Sequence, residues 1–124
     1  LYGVQRSELA WDVLKRHFWM GKHLLYYPQE HYCDRPESPA HKRANVVAGL
    51  CDAETVLFGL IGFQPLVNGQ LWIHPQPTKE GSLSIQGFGY RGNRIDVELS
   101  AGRLAVTKNG VSLYQGPPKR LRIV

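Results

Sequence analysis

Between Asn45 and Gly62 the chain runs Val46-Val47-Ala48-Gly49-Leu50-Cys51-Asp52-Ala53-Glu54-Thr55-Val56-Leu57-Phe58-Gly59-Leu60-Ile61, and only Asp52, Glu54 and Thr55 in it are polar. Asn45 is a good N-cap, Gly62 a good stop and Pro65 lies beyond, so the run reads as one helix. A helix that is apolar on nearly every side has to be covered on nearly every side. One neighbouring helix cannot do that, and further helices are expected to complete its surroundings. Gly49 and Gly59 each cost about 1 kcal/mol in a helix relative to Ala, so their expected use is the close approach of a neighbour.

Upstream, Leu9, Ala10, Val13, Leu14, His17 and Phe18 recur at three- and four-residue spacing, with Glu8, Asp12, Lys15 and Arg16 elsewhere. The pattern predicts an amphipathic helix over 8–18, with Ser7 as N-cap and an end near Met20-Gly21. His17, on the apolar side, is expected to be a satisfied core histidine. Between the two helices, residues 21–45 carry Pro28, Pro36 and Pro39, which deny regular structure but fix a path. This stretch also holds Tyr26, Tyr27, Glu30, His31 and Tyr32, followed by the basic run His41-Lys42-Arg43. Its aromatic content argues against disorder. Glu30 is either a solvated loop glutamate or a site carboxylate. Tyr26, Tyr27, Tyr32 and Trp19 either line a sugar subsite or wedge the loop onto the helices, because aromatic rings serve both purposes.

Past Asn68-Gly69 the period changes to two. Strands are expected at 71–73, 83–86, 95–99, 104–107, 111–114 and 120–124, with Asn109-Gly110 as a two-residue hairpin turn. Asp96 and Glu98 alternate with Ile95, Val97 and Leu99, which places both on the wet face. The expected fold class is therefore α+β. A helical hairpin (1–69) with a long aromatic loop is followed by an antiparallel β-sandwich-like domain (70–124).

A net charge of +5 raises the question of nucleic acid. The positive residues are scattered, and Lys119, Arg120 and Arg122 interleave with Leu121 and Ile123 as a strand would, so no nucleic-acid partner is expected. No apolar run reaches the ~18 residues of a membrane span, and no membrane partner is expected. Cys33 and Cys51 are read as a loop thiol and a core thiol, with no disulfide assigned. The five histidines fall at no zinc-like spacing, and no phosphate loop or dinucleotide glycine motif occurs, so neither metal nor cofactor is expected. The chain begins at Leu1 without an initiator Met or a leader, as the tail of a longer protein would, and the compartment stays open.

Four segments in this order carry a family resemblance: Glu30-His31-Tyr32-Cys33-Asp34, Val56-Leu57-Phe58-Gly59-Leu60-Ile61-Gly62, Leu71-Trp72-Ile73-His74-Pro75 and Phe88-Gly89-Tyr90-Arg91-Gly92. Together they resemble the C-terminal end of the glycosidases built on an (α/α)6 toroid of six helical hairpins, the group of glucoamylases, trehalases and maltose or kojibiose phosphorylases. The resemblance implies that 8–62 is the last hairpin of the toroid and 70–124 the small β-domain after it. It implies a carbohydrate substrate, and upstream helices of the same protein or a partner chain. In the inverting hydrolases of this group the general base is a glutamate followed closely by a tyrosine and an acidic or amide residue. Glu30, with Tyr32 and Asp34, is similar to that pattern, although Cys33 separates the last two. Tyr26, Tyr27, His31, Tyr32 and Trp19 are then the implied substrate-binding residues. The phosphorylases instead carry a serine- and glycine-rich phosphate pocket. Ala44-Asn45-Val46-Val47-Ala48-Gly49 lacks that serine-glycine pair, so hydrolysis is expected over phosphorolysis. The remaining alternative is a non-catalytic carbohydrate-binding or structural module.

Overall fold

The computed structural model describes residues 6–24, 45–76 and 81–124. Helix α1 spans Ser7–Leu24 and α2 spans Val46–Glu54, continued by a six-residue π-helical turn, π1, at Thr55–Leu60. Seven strands follow: β1 (Phe63–Pro65), β2 (Leu71–Ile73), β3 (Ser82–Tyr90), β4 (Asn93–Ser100), β5 (Arg103–Lys108), β6 (Val111–Gly116) and β7 (Leu121–Arg122). They form two antiparallel sheets, in the orders β1-β2-β7 and β3-β4-β5-β6. The fold class is α+β, as the change of period from helical to two requires.

Helix α1 differs from expectation at both ends. Ser7 lies inside the helix, because the Arg6 carbonyl already accepts a hydrogen bond from the Ala10 N–H at 2.9 Å. At the other end α1 continues through Gly21 to Leu24. The cost of a helical glycine, about 1 kcal/mol, is offset in part by Lys22 and His23, whose positive or polar ends suit the C-terminal pole of the helix.

The apolar run is not uniform along its length. At its start Asn45 caps α2 as expected, with its Oδ1 accepting from the Ala48 N–H at 3.1 Å. After Glu54 the hydrogen bonding shifts by one residue, so that the Ile61 N–H reaches the Val56 carbonyl at 2.9 Å. The Thr55 hydroxyl donates to the Cys51 carbonyl at 2.7 Å just where this widening begins. Leu60 and Ile61 at the far end are fully buried against the strands, whereas Val46, Val47 and Leu50 are 74%, 65% and 61% exposed. At 3.6 residues per turn these three share one arc of α2 with Cys51 and Glu54, directly opposite Asp52. Cys51 is therefore exposed rather than the core thiol expected from composition.

One continuous core joins helices and strands. Leu14 of α1 and Leu60 and Ile61 at the end of π1 meet Phe63, Leu71, Ile73 and Ile123 of the small sheet and Ile95, Val97, Leu99, Leu104 and Val106 of the large one. Phe63 stacks on Phe88 across the two sheets at 4.4 Å. The Tyr90 hydroxyl and the Lys108 ammonium each donate to a backbone carbonyl of the other layer, those of Gln70 and Ile123. The expected boundary at 69/70 falls between β1 and β2, which pair through Phe63↔Ile73 and Pro65↔Leu71.

The hairpin turns follow their residues. Asn109 and Gly110 take φ of +52° and +78° between the paired Lys108 and Val111, as the Asn-Gly signal predicts. At Gly62, φ is +72°, and the Gly62 carbonyl accepts the His74 N–H at 2.9 Å. The chain thus closes the π turn and enters the sheet at one residue.

Candidate functional site

Of the residues expected to form a site, Glu30, Tyr26, Tyr27, His31 and Tyr32 lie outside the described residues, and Trp19 is described. What is described is the pair of helix ends that the loop joins. A hydrogen bond between α1 and α2 fixes their relation: His17 Nδ1 lies 2.9 Å from Asp52 Oδ1. His17 is satisfied, as expected, but half-exposed rather than in the core. Its partner is the buried one. Asp52 is only 7% exposed, and its second oxygen has no hydrogen-bond partner among the described residues. Removing one partner of such a pair leaves a buried polar group uncompensated, so the contact enforces one arrangement of the hairpin.

Near the C-terminal end of α1, Trp19 and His23 stack with ring centroids 4.1 Å apart and planes inclined by 28°. His23 Nδ1 lies 2.7 Å from the Trp19 carbonyl oxygen, which can only accept, so Nδ1 carries the proton. In the neutral ring Nε2 is then an acceptor. Trp19 remains 46% exposed and is not part of the core formed by the described residues. The sequence reading found Trp19 but gave His23 no role. The available signal was its position, four residues after Trp19 on a helix, where two rings meet.

Asp96 and Glu98 lie on the outer face of the large sheet, as their alternation predicts, over a hollow of about 120 Å³ also lined by Ser84, Gln86 and Thr107. No aromatic side chain lines it. Asp96 has a local task. Between Ile85↔Val97 and Phe88↔Ile95 the register of β3 slips, so that Gln86 and Gly87 face one residue of β4. The Asp96 carboxylate accepts the Gly87 N–H at 2.6 Å and the Thr107 hydroxyl at 3.0 Å, with Arg94 nearby at 3.7 Å. These contacts, the Gly87 N–H foremost, hold its carboxyl below the usual aspartate range. A lowered native pKa stabilises the fold above the unfolded value, near pH 4, and that contribution is lost as pH falls through the native value. Asp96→Asn should therefore flatten acid unfolding, with a smaller drop in urea midpoint between pH 5 and pH 3 than in the parent. Equal drops would show that the bulge does not depend on the charge.

The basic residues near the C-terminus lie over rings of their own fold. Arg120 sits 4.8 Å from the Trp72 ring centre and Lys119 sits 4.4 Å from that of Tyr114. Among the described residues no three His, Cys, Asp or Glu side chains gather as a metal site would require, and no helix is long and apolar enough to cross a membrane. No family model, no curated protein and no solved structure matches the chain.

Proposed function

We infer that this chain is the C-terminal part of a glycoside hydrolase, a helical hairpin and β-domain that complete a ring of helices contributed by upstream residues or a partner chain. The observation that supports this is the split character of the apolar segment. Leu60 and Ile61 are sealed by the strands, while Val46, Val47, Leu50 and Phe58 stand in water. Apolar side chains gathered along one helix mark a surface meant for contact. In this reading Glu30 is the general base that activates water on one face of the sugar, and the acid comes from an earlier hairpin, about 6.5–9.5 Å away across the bond. Tyr26, Tyr27, His31, Tyr32 and Trp19 hold the substrate.

The test is to supply the protein that carries this chain with a panel of α-linked glucosides and follow the released sugar by proton NMR. Turnover with inverted anomeric configuration is the expected result, and no turnover of any α-glucoside overturns the reading. Inorganic phosphate added to the same assay separates the related phosphorolysis, which alone would yield a sugar phosphate. A second reading, a non-catalytic carbohydrate-binding or structural module, is favoured by the exposed Trp19 and predicts sugar binding without turnover.

A further inference from the structure

The three-stranded sheet turns one face away from the core. Leu71 and Ile73 of β2 are buried, while Gln70, Trp72 and His74 alternate with them on the outer side. The pairings Gln64↔Trp72 and Trp72↔Arg122 set Gln64, Trp72 and Arg122, far apart in the chain, in one row across the sheet, about 10 Å wide. Arg120, just before β7, reaches back over this row. Its guanidinium lies 4.8 Å from the centre of the Trp72 ring, and its Nη2 donates to Gln64 Oε1 at 3.4 Å. The Trp72 indole N–H donates in turn to Gln70 Oε1 at 3.1 Å. Arg122 is exposed, and its guanidinium has no partner among the described residues. No Asp or Glu occurs in 61–76, which holds β1 and β2, or in 99–124, which holds β7.

We propose that this face binds a single strand of nucleic acid without regard to its sequence. The basic residues look scattered along the chain, but the fold sets two guanidiniums side by side with no carboxylate from the sheet's own strands to neutralise them. Such a surface suits a ligand of repeated negative charge. Arg122 and the N–H groups that Arg120 does not spend on Gln64 are donors for phosphate oxygens. The Arg120–Trp72 pair is a platform on which a base can stack, since a guanidinium plane and an aromatic ring both take a base face. The amides of Gln64 and Gln70 each donate and accept, as base edges do. A row of carboxylates would use the guanidiniums alone and leave the ring and the amides without a task, so the face fits nucleic acid better than an acidic peptide. In a duplex the bases stack on one another and cannot reach a shallow sheet, so the ligand is single-stranded.

None of these residues takes part in the carbohydrate reading, so the two stand or fall separately. The test is to titrate a fluorescent oligothymidylate with the 124-residue protein and to follow the indole N–H signal of Trp72 by NMR in the reverse titration. Binding should have a Kd of about 100 μM at about 50 mM salt and weaken about sevenfold at about 200 mM, as two phosphate contacts on a single strand require. The Trp72 signal should shift. Arg122→Gln removes one phosphate contact and should weaken binding about fivefold, with the same salt step now costing only about threefold. Arg120→Gln removes a contact and half of the stacking platform, and should weaken binding about tenfold. Arg103→Gln takes the same charge from an exposed position on the large sheet and should leave the affinity within about twofold. Equal weakening by Arg103→Gln and Arg122→Gln would show attraction by net charge alone and overturns the proposal. A Trp72 signal that does not move at saturation overturns it as well. So does polyglutamate that competes as well as oligothymidylate, which would make this a surface for acidic protein segments instead.

Discussion

Glu30→Gln, made in the protein that carries this chain, is expected under the proposed hydrolase function to reduce α-glucoside hydrolysis by about 10²–10⁴-fold, the usual worth of a positioned general base. Glutamine keeps the size of the side chain and can still hold a water by hydrogen bonding, but it cannot take the proton that the attacking water must lose. The loss should therefore appear in kcat, with KM little changed, because a group that acts only in the transition state does not alter ground-state binding. Stability should stay within about 0.5 kcal/mol of the parent, as for most surface changes. Added azide, a small anionic nucleophile that needs no deprotonation, should restore part of the rate in the variant and none in the parent. Unchanged kcat eliminates Glu30 as the base, whatever the fate of the wider reading.

Gly62→Ala is expected to be the most damaging single-methyl change in the described structure, at about 3 kcal/mol. Two effects add. With φ at +72°, any L side chain occupies the left-handed region at a cost of about 1–2 kcal/mol. A Cβ at this position would also run into the backbone carbonyl of His74, a group that cannot swing aside. His74 is tied to Gly62 by its own N–H, and the neighbouring Gln76 N–H is held by the Leu60 carbonyl at 2.8 Å, so the strand and the end of the helix would have to part. Gly110→Ala is the control. Its φ is +78°, yet no neighbour lies within 4 Å of the added methyl, so only the conformational cost remains. Urea unfolding should give a loss about twice as large for Gly62→Ala as for Gly110→Ala. Equal losses would mean that the junction yields, and that helix and sheet are not rigidly joined there.

The parts of the fold that depend on local chemistry were legible in the sequence. Asn45 caps α2, Asn109-Gly110 makes its hairpin, and Ile95, Val97 and Leu99 point inward while Asp96 and Glu98 point out. What was missed depended on contacts between distant residues. Strand β1 is only three residues long and includes Pro65, which read as a helix stop; it is tolerated because β1 lies at the edge of its sheet. Strand β3 was expected over only 83–86, because the bulge at Gln86-Gly87 breaks the alternation on which the reading relied. Cys51 was expected in the core because free cysteine is usually buried, but it shares an exposed arc of α2 with Val47 and Leu50. The link between His17 and Asp52 spans 35 positions and has no local signature. As to the site, sequence pattern singled out Glu30 and the tyrosines through a resemblance, and they lie outside the described residues. Trp19 was found for its type, and His23 required the geometry of the stack.

The bare arc of α2 has a practical consequence. Expressed by itself, this polypeptide would present a greasy ridge formed by Val46, Val47 and Leu50, outside the core that its helices and strands share. Its behaviour in the test tube would then be governed by crowding between copies rather than by unfolding. Charged replacements along that ridge should keep it monodisperse at concentrations where the unaltered polypeptide clumps.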